Sequence, residues 1–404
     1  MPNSHPWAVT GLCFAASMVE GYDLQSAGVA APALAAALHV SKDNLGLVFA
    51  CSTVGMLVGA AIGGWLSDRI GRKNVLVGSL AMFGVFSICT VSAFDLKSLL
   101  ITRVLTGVGL GSTFPSLIAL VAAHAEDARR AGRVTMVSAG MPLGGAVAVL
   151  LSLTTAAGDW RWIFYLGGAG PLILAPIVAM AMPSDRSSQR REDRQAMESG
   201  RASTRRILFG DGRARATLSL WMASLCTLLV LYLMVNWLPS LLVSRGSDRS
   251  EALLASLGFN IAGTAGAVAC GVLMGRARRT RTLVLMYAGA IVGTAALAMS
   301  GSLAATVASA SIVGACITAG QFAIYGLSAD CYPSRWQGTG AGAAVAFGRI
   351  GAVIGPLLAG AILAEGGSPT DVLVVLLPLI SAALIALLFL SRTAVSVSYG
   401  GRPG

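Results

Sequence analysis

Four ionisable side chains lie well inside long apolar segments of this 404-residue chain: Glu20, Asp23, Arg103 and Arg349. If these segments cross a bilayer, each group would cost about 2.5–3.5 kcal/mol when facing lipid. The four are therefore expected to face a water-accessible cavity or to pair with one another. Two explanations stay open: they move a proton or solute across the membrane, or they form internal ion pairs that hold helices together.

The two acids are three residues apart, so Glu20 and Asp23 share one face of a helix. Gly21 lies between them and permits close packing or a local break. Two neighbouring carboxylates in a low-dielectric site cannot both ionise easily. The pair is therefore a candidate proton-coupling site. Asp23 is the first choice, because it lies deeper in the segment if the cytoplasmic end is near Ala8.

The two arginines suit a planar carboxylate. A guanidinium binds a carboxylate through two parallel hydrogen bonds and keeps its charge. Arg349 lies about halfway along its segment and is the preferred carboxylate clamp. Arg103 lies near the start of its segment, and the roles of the two arginines could be exchanged.

Two further pairs have the i, i+4 spacing of one helix face: Tyr232 with Asn236, and Gln321 with Tyr325. Both pairs could point into one cavity and contact an aromatic ring and its hydroxyl groups. The alternative is hydrogen bonding between helices. Trp237, near a helix end, would then belong to an interfacial aromatic belt.

The composition indicates which elements position these residues. The chain is 55% hydrophobic and 12% charged, with a mean hydropathy of +0.75. Soluble domains have about 25% charged residues, and disordered chains have low hydrophobicity, so both classes are excluded. The sequence predicts an all-α membrane protein with twelve transmembrane helices. The twelve apolar runs are 8–38, 45–66, 74–94, 97–123, 133–156, 162–182, 215–241, 252–274, 282–301, 303–329, 338–363 and 371–391.

One long polar segment divides these runs into two sets of six. Residues 183–214 hold eight Arg and five acidic residues. This pattern predicts an N-terminal six-helix bundle at 1–182, a cytoplasmic linker at 183–214 and a C-terminal six-helix bundle at 215–404. Two such bundles with a site between them are typical of transporters that work by alternating access.

The positive charges predict the orientation. Of the 29 Lys and Arg residues, 22 fall on the side of the linker and the chain ends, five on the opposite side and two within spans. Cytoplasmic loops retain positive charge, so both termini are predicted to be cytoplasmic. The charges form short tracts between apolar runs, which argues against nucleic acid as a partner.

The residues expected of an enzyme are missing from the sequence pattern. The seven Cys residues are scattered singly, and no C-x-x-C pair or metal-binding His spacing is present. We find no phosphate loop and no nucleophile elbow. The prediction is that the chain is not an enzyme and uses no cofactor or metal.

Two motifs carry a family resemblance. Gly64-Trp-Leu-Ser-Asp-Arg-Ile-Gly-Arg-Lys resembles the G-x-L-x-D-R-x-G-R-K signature of the major facilitator superfamily. Glu20-Gly-Tyr-Asp resembles the acidic D-G-x-D motif of its aromatic acid:proton symporter family, with Glu in place of the first Asp. Within that family the chain is most similar to bacterial 3-(3-hydroxyphenyl)propionate transporters.

The resemblance implies proton-coupled uptake (symport) of an aromatic carboxylic acid, of hydroxyphenylpropionate or benzoate type, by alternating access. It implies a multi-pass protein of the bacterial inner (plasma) membrane that works as a monomer, with the acid, protons and the lipid bilayer as its partners. It places Arg103 in proton coupling. It also implies a cytoplasmic gate formed by Gly64, Asp68, Arg69, Gly71 and Arg72. The alternative is that the basic residues there only set the orientation of the chain in the membrane.

A third motif keeps an alternative open. Gly140-Met-Pro-Leu-Gly-Gly resembles a G-P-x-x-G-G element of proton antiporters. Gly and Pro in a span also serve close packing and kinking. The alternative function is a proton-coupled antiporter that exports drugs or aromatic compounds.

Overall fold

The computed structural model describes residues 6–124, 127–154, 159–182, 204–210, 213–273, 279–332 and 337–399. Within these ranges the chain forms twelve long helices and no strand. The first six are α1 Pro6–Leu38, α2 Lys42–Ile70, α3 Arg72–Thr90, α4 Leu96–His124, α5 Asp127–Thr154 and α6 Arg161–Ala181. The second six are α7 Ala214–Ser244, α8 Arg249–Leu273, α9 Arg279–Met299, α10 Leu303–Asp330, α11 Gln337–Ala364 and α12 Pro369–Tyr399.

The segment between the two sets lies mostly outside the described residues. Its described part includes one short helix, Thr204–Phe209. The short helix is tied to α7, since Thr217 donates a hydrogen bond to the Leu208 carbonyl at 2.6 Å.

Eleven helices, α2 to α12, each carry a stretch long and apolar enough to cross a membrane. The first helix does not qualify, although it is 33 residues long. Its middle holds polar side chains, among them Glu20, Asp23 and Gln25, all of which are buried. These polar side chains therefore face other helices rather than lipid. With α1, the set comprises twelve long helices.

Several helices are longer than the apolar runs that predicted them. Helix α5 begins at Asp127 rather than at 133, and α12 continues to Tyr399 rather than ending at 391. Polar residues can extend these helices because the backbone hydrogen bonds of a helix do not depend on apolar side chains.

Each set of six packs as one bundle, the N-half (α1–α6) and the C-half (α7–α12). Small residues let helices approach closely. A Cβ atom at Gly107 of α4 would collide with the Ser52 carbonyl of α2. A Cβ atom at Gly314 of α10 would collide in the same way with the Phe259 carbonyl of α8. The α2–α4 packing of the N-half is thus repeated by α8–α10 in the C-half.

The halves meet along three helix pairs: α2 with α11, α5 with α8, and α1 with α7. At the end where α2 begins, Gly46 packs against the backbone of Pro356. At the same end, Arg249 donates a hydrogen bond to Ser152 at 3.2 Å. The halves are therefore joined there, and a cavity lies between them deeper in the molecule.

Candidate functional site

The central cavity has an empty volume of about 800 Å³ and is lined by both halves. The N-half contributes residues of α1, α4 and α5, and the C-half contributes residues of α7, α8, α10 and α11. Five aromatic rings lie in its wall, those of Phe114, Tyr232, Phe259, Phe322 and Tyr325. A mostly apolar cavity with a few polar groups is typical of small-molecule sites.

Arg349 on α11 supplies the positive charge of this cavity. It is 7% exposed, and its Nη1 donates a hydrogen bond to the Tyr232 hydroxyl at 2.7 Å. The same nitrogen lies 3.7 Å from the sulfur of Met56 on α2, across the boundary between the halves. Arg349 makes no ion pair with any residue that the structure describes. Its charge is therefore available to an anion in the cavity.

Glu20 is the carboxylate whose charge acts on Arg349 across the boundary. It is completely buried, and neither carboxylate oxygen has a hydrogen-bond partner among the described residues. Tyr232 and Tyr325 of the C-half interact electrostatically with the same arginine. Glu20 is thus placed beside a cation without being bonded to it.

Asp23 pairs with Arg103 inside the N-half. Asp23 Oδ2 lies 3.9 Å from Arg103 Nη1, and both side chains are almost completely buried. Ser87 on α3 donates a hydrogen bond to the other Asp23 oxygen. Arg103 also donates to the Thr90 hydroxyl at 2.6 Å and lies over the Phe164 ring at 4.8 Å. The pair is therefore held by α1, α3, α4 and α6.

The prediction that Glu20 and Asp23 act as one proton-coupling pair stays a prediction, but the structure gives the two acids different charged neighbours. Asp23 is ion-paired with Arg103, whereas the charge that acts on Glu20 is that of Arg349. Helix α1 runs between its own half and α7, so two neighbouring positions meet different surroundings. The structure contains two separate carboxylate–arginine sites.

A smaller cavity of about 310 Å³ adjoins the Asp23–Arg103 pair. Three buried polar atoms of its lining residues make no hydrogen bond with the described residues: Asp23 Oδ2, Arg103 Nε and Ser52 Oγ. Tyr232 lines both this cavity and the central one. The phenol ring therefore stands between the two sites.

The prediction that both i, i+4 pairs point into one cavity is wrong for one residue of the four. Tyr232, Gln321 and Tyr325 line the central cavity, whereas Asn236 lines the smaller one. The Asn236 amide is used within its own helix, donating to the Tyr232 carbonyl at 2.8 Å.

Trp237 is buried rather than part of an interfacial belt. Its indole nitrogen donates to the Pro356 carbonyl at 3.0 Å, and its ring meets the edge of Phe49. It thereby helps to join α7 to α11 and to α2.

Two cavity residues were missed from the sequence, Gln25 on α1 and Asn260 on α8. Gln25 donates to the Val235 carbonyl of α7 at 3.0 Å and accepts from the Asn260 amide at 3.1 Å. This bridge joins the halves. The available signal was an amide within an apolar run, the same signal that drew attention to Gln321.

The expected gate residues lie around the turn between α2 and α3. Gly71 has φ of +95°, a conformation that favours glycine, and forms the boundary between the two helices. Arg69 stacks on Trp65 at 3.9 Å, and Arg72 donates to the Ala119 carbonyl of α4 at 3.4 Å. Gly64 is exposed with open space around it. The side chain of Asp68 lies outside the described residues.

Glycines of the third motif serve close packing. Gly140 and Gly144 of α5 lie against the backbone of Phe14 and Met18 on α1. A Cβ at Gly21 of α1 would collide with the Met141 carbonyl. Close packing at Gly21 is confirmed, and the alternative of a local break is wrong, because α1 is continuous.

The described residues contain no cluster of three or more His, Cys, Asp or Glu side chains that could hold a metal ion. The chemistry of the site is therefore that of two buried arginines, two buried acids and hydroxyl and amide groups around an apolar cavity. Such a set can bind an anion and can hold a proton.

The sequence model of the Major Facilitator Superfamily matches residues 13–356. The chain is 38% identical to the 3-(3-hydroxyphenyl)propionate transporter of Escherichia coli (strain K12), over 95% of this chain and 93% of the relative. It is 30% identical to the gallate transporter of Pseudomonas putida, over 95% and 92%. The crystal structure of a D-xylose-proton symporter has the same fold, with a TM-score of 0.77 at 16% identity, over 95% and 97%. The chain is a multi-pass membrane transporter rather than an enzyme, and it belongs to the major facilitator superfamily.

Proposed function

We propose that this transporter carries an aromatic carboxylic acid, of hydroxyphenylpropionate or benzoate type, into the cell together with a proton. The observation that carries the proposal is Arg349, a buried cation without an ion-pair partner among the described residues, in the wall of a cavity between the two halves. The names of the relatives support it, since 3-(3-hydroxyphenyl)propionate and gallate are both aromatic carboxylates.

The substrate carboxylate binds Arg349 in this proposal. The guanidinium has five donors, of which one already reaches the Tyr232 hydroxyl. A carboxylate can accept two of the others in parallel. The aromatic ring then packs among Phe114, Phe259 and Phe322, where edge and stacked contacts between rings are favourable.

The proton binds Asp23 in the proposal, beside Arg103. A proton on Asp23 adds one positive charge and a carboxylate on Arg349 adds one negative charge, so the two bound together leave the net charge of the buried groups unchanged, whereas either one alone would change it. A site near neutrality is less penalised at the membrane midplane than a charged one, which is a physical reason to move the two together. One proton for each monoanion would be electroneutral, whereas two protons would make uptake sensitive to voltage.

The same proposal assigns the motion of the two bundles and the orientation of the chain in the membrane. The bundles 1–182 and 215–404 rock about the cavity, and both termini and the linker 183–214 lie in the cytoplasm of a bacterial cell, by the distribution of Lys and Arg. The transporter works as a monomer in the plasma membrane. The turn between α2 and α3 acts as a cytoplasmic gate, and Arg72 supports this by linking the turn to α4.

Uptake into proteoliposomes tests the proposed function. The purified full chain is reconstituted, a pH gradient (acidic outside) is imposed, and accumulation of labelled 3-(3-hydroxyphenyl)propionate, 4-hydroxybenzoate and benzoate is followed. The proposal predicts accumulation above equilibrium that collapses with a protonophore. Accumulation driven only by the opposite gradient would support the antiporter, and failure to transport any of the acids would overturn the proposal.

A further inference from the structure

Gln321 on α10 is a buried amide in the wall of the central cavity, and its polar atoms lack hydrogen bonds of normal geometry. The side chain is 4% exposed, yet neither Nε2 nor Oε1 makes a hydrogen bond within the described part of the chain. The Tyr325 hydroxyl on the same helix interacts with this amide, but the two groups do not form a hydrogen bond of normal geometry. Buried polar atoms without partners are rare in native structures, so each requires an explanation.

A second glutamine in the same cavity shows the usual state of such a group. Gln25 uses its nitrogen to bind the Val235 carbonyl and its oxygen to accept from Asn260. That amide joins the two halves and has little left to offer a ligand. Gln321 differs because neither its donor nor its acceptor forms a hydrogen bond of normal geometry, and its polar neighbour Tyr325 also lines the cavity.

We propose that Gln321 binds a hydroxyl group on the aromatic ring of the substrate, so that the transporter selects ring-hydroxylated acids. This inference rests on the proposed function and deepens it. A phenolic hydroxyl both donates and accepts a hydrogen bond, and an amide offers the matching acceptor and donor. A methoxy group accepts only, and an unsubstituted ring does neither.

The position of Gln321 suits the end of the substrate away from the carboxylate. Tyr325 lies beside Arg349, and Gln321 lies one turn earlier on α10, about 6 Å along the helix axis. A molecule with its carboxylate on Arg349 and its ring across the cavity would thus present a ring substituent toward Gln321. Two polar contacts, one at each end of an apolar ring, define the substrate class.

Competition measurements test this inference. Uptake of labelled 3-(3-hydroxyphenyl)propionate into proteoliposomes is inhibited with unlabelled 3-phenylpropionate, its 3-hydroxy form and its 3-methoxy form. We expect the wild type to prefer the hydroxylated acid over both others by about tenfold or more, since a site built to bond a hydroxyl rejects analogues that lack it. In Gln321→Leu the preference should fall to about twofold, through weaker binding of the hydroxylated acid alone.

Two further variants separate recognition from structural damage. Gln321→Met, a second apolar side chain of similar length, should behave like Gln321→Leu. Thr318→Val removes a different polar group from the same wall and should keep the preference. An unchanged preference in both Gln321 variants, an equal loss for all three acids, or a lost preference in Thr318→Val would overturn the inference while leaving the proposed function intact. A wild type that binds none of the acids would overturn both.

Discussion

The two buried carboxylate–arginine sites differ in how they are built. Asp23 and Arg103 belong to one half of the molecule and are held by Ser87 and Thr90 of the same half. Glu20 and Arg349 belong to opposite halves and form no ion pair, and Arg349 faces the central cavity. The groups bonded to the first site all belong to the N-half, although Tyr232 and Asn236 of the C-half line the small cavity beside it. The second site is completed only where the bundles meet.

This difference indicates which site suits which ligand. When two bundles rock as rigid bodies, distances within one bundle stay nearly constant and distances between bundles change. A proton needs a site that survives the motion, which fits Asp23–Arg103. A substrate has to bind and leave as the cavity opens and closes, which fits Arg349. Variants that change one site at a time test whether the two sites have these different roles.

The largest effect is expected from a change that displaces both acids at once. Gly21→Ala places a Cβ atom against the Met141 carbonyl and pushes α1 away from α5. Overpacking of this kind costs about 1–3 kcal/mol or more. We expect a lower melting temperature and loss of both binding and accumulation, measured by thermal unfolding of the purified protein and by uptake.

The matched control lies on the same helix. A Cβ atom at Gly11 would meet nothing within 4 Å, so Gly11→Ala should leave the melting temperature unchanged or slightly higher. Equal destabilisation by the two variants would mean that the contact with α5 does not position α1.

The next effect concerns the proton site alone. A gradient of one pH unit is worth about 1.4 kcal/mol, or about tenfold accumulation with one proton per substrate. Asp23→Asn should lower the accumulation ratio to about one, because an amide cannot take up the proton. Exchange of labelled for unlabelled substrate across the membrane should continue. Loss of exchange as well would indicate an ion pair that only holds helices together.

At the substrate site we expect weaker binding rather than loss of coupling. Arg349→Lys keeps the charge but loses the planar fork, so KM for carboxylate substrates should rise about 10- to 100-fold. Uncharged analogues such as the corresponding amides should bind nearly as well as they bind the wild type. If both classes weakened equally in binding measurements, Arg349 would be a structural residue.

The smallest effect is expected from changing Glu20, which we expect to alter substrate affinity. When ionised, Glu20 attracts Arg349 and competes with the substrate carboxylate, whereas protonated Glu20 does not. Removing this carboxylate should therefore raise the affinity for a carboxylate substrate, and Glu20→Gln should do so by up to about fivefold. Because Tyr232 and Tyr325 also face Arg349, Tyr325→Phe serves as the comparison, and an unchanged affinity in Glu20→Gln would exclude the competition.

The sequence sufficed for the elements and for the ionisable residues, but not for their partners. Twelve apolar runs predict twelve helices because an uninterrupted apolar run of about 20 residues satisfies its backbone hydrogen bonds in lipid as a helix. From the cost of exposing charge to lipid, Glu20, Asp23, Arg103 and Arg349 were predicted to face a cavity or to pair. Asp23 pairs with Arg103 and Arg349 lines the central cavity, whereas Glu20 is buried but lines neither described cavity and forms no ion pair among the described residues.

The pairing depends on tertiary packing. Three residues along α1 separate Glu20 from Asp23, yet one meets the C-half and the other meets α3 and α4. The Gln25–Asn260 hydrogen bond joins positions 235 residues apart. Helix periodicity shows which positions share a face and says nothing about which helices lie opposite that face.

Movement of protons on addition of substrate tests the central claim most directly. Proteoliposomes with the full chain and a pH-sensitive dye inside receive 3-(3-hydroxyphenyl)propionate outside, without an imposed gradient. Separate proton and substrate sites coupled in one cycle predict acidification of the interior in the wild type. They predict no acidification in Asp23→Asn that still exchanges substrate. Alkalinisation of the interior, or substrate entry without any change of pH in the wild type, would contradict proton symport.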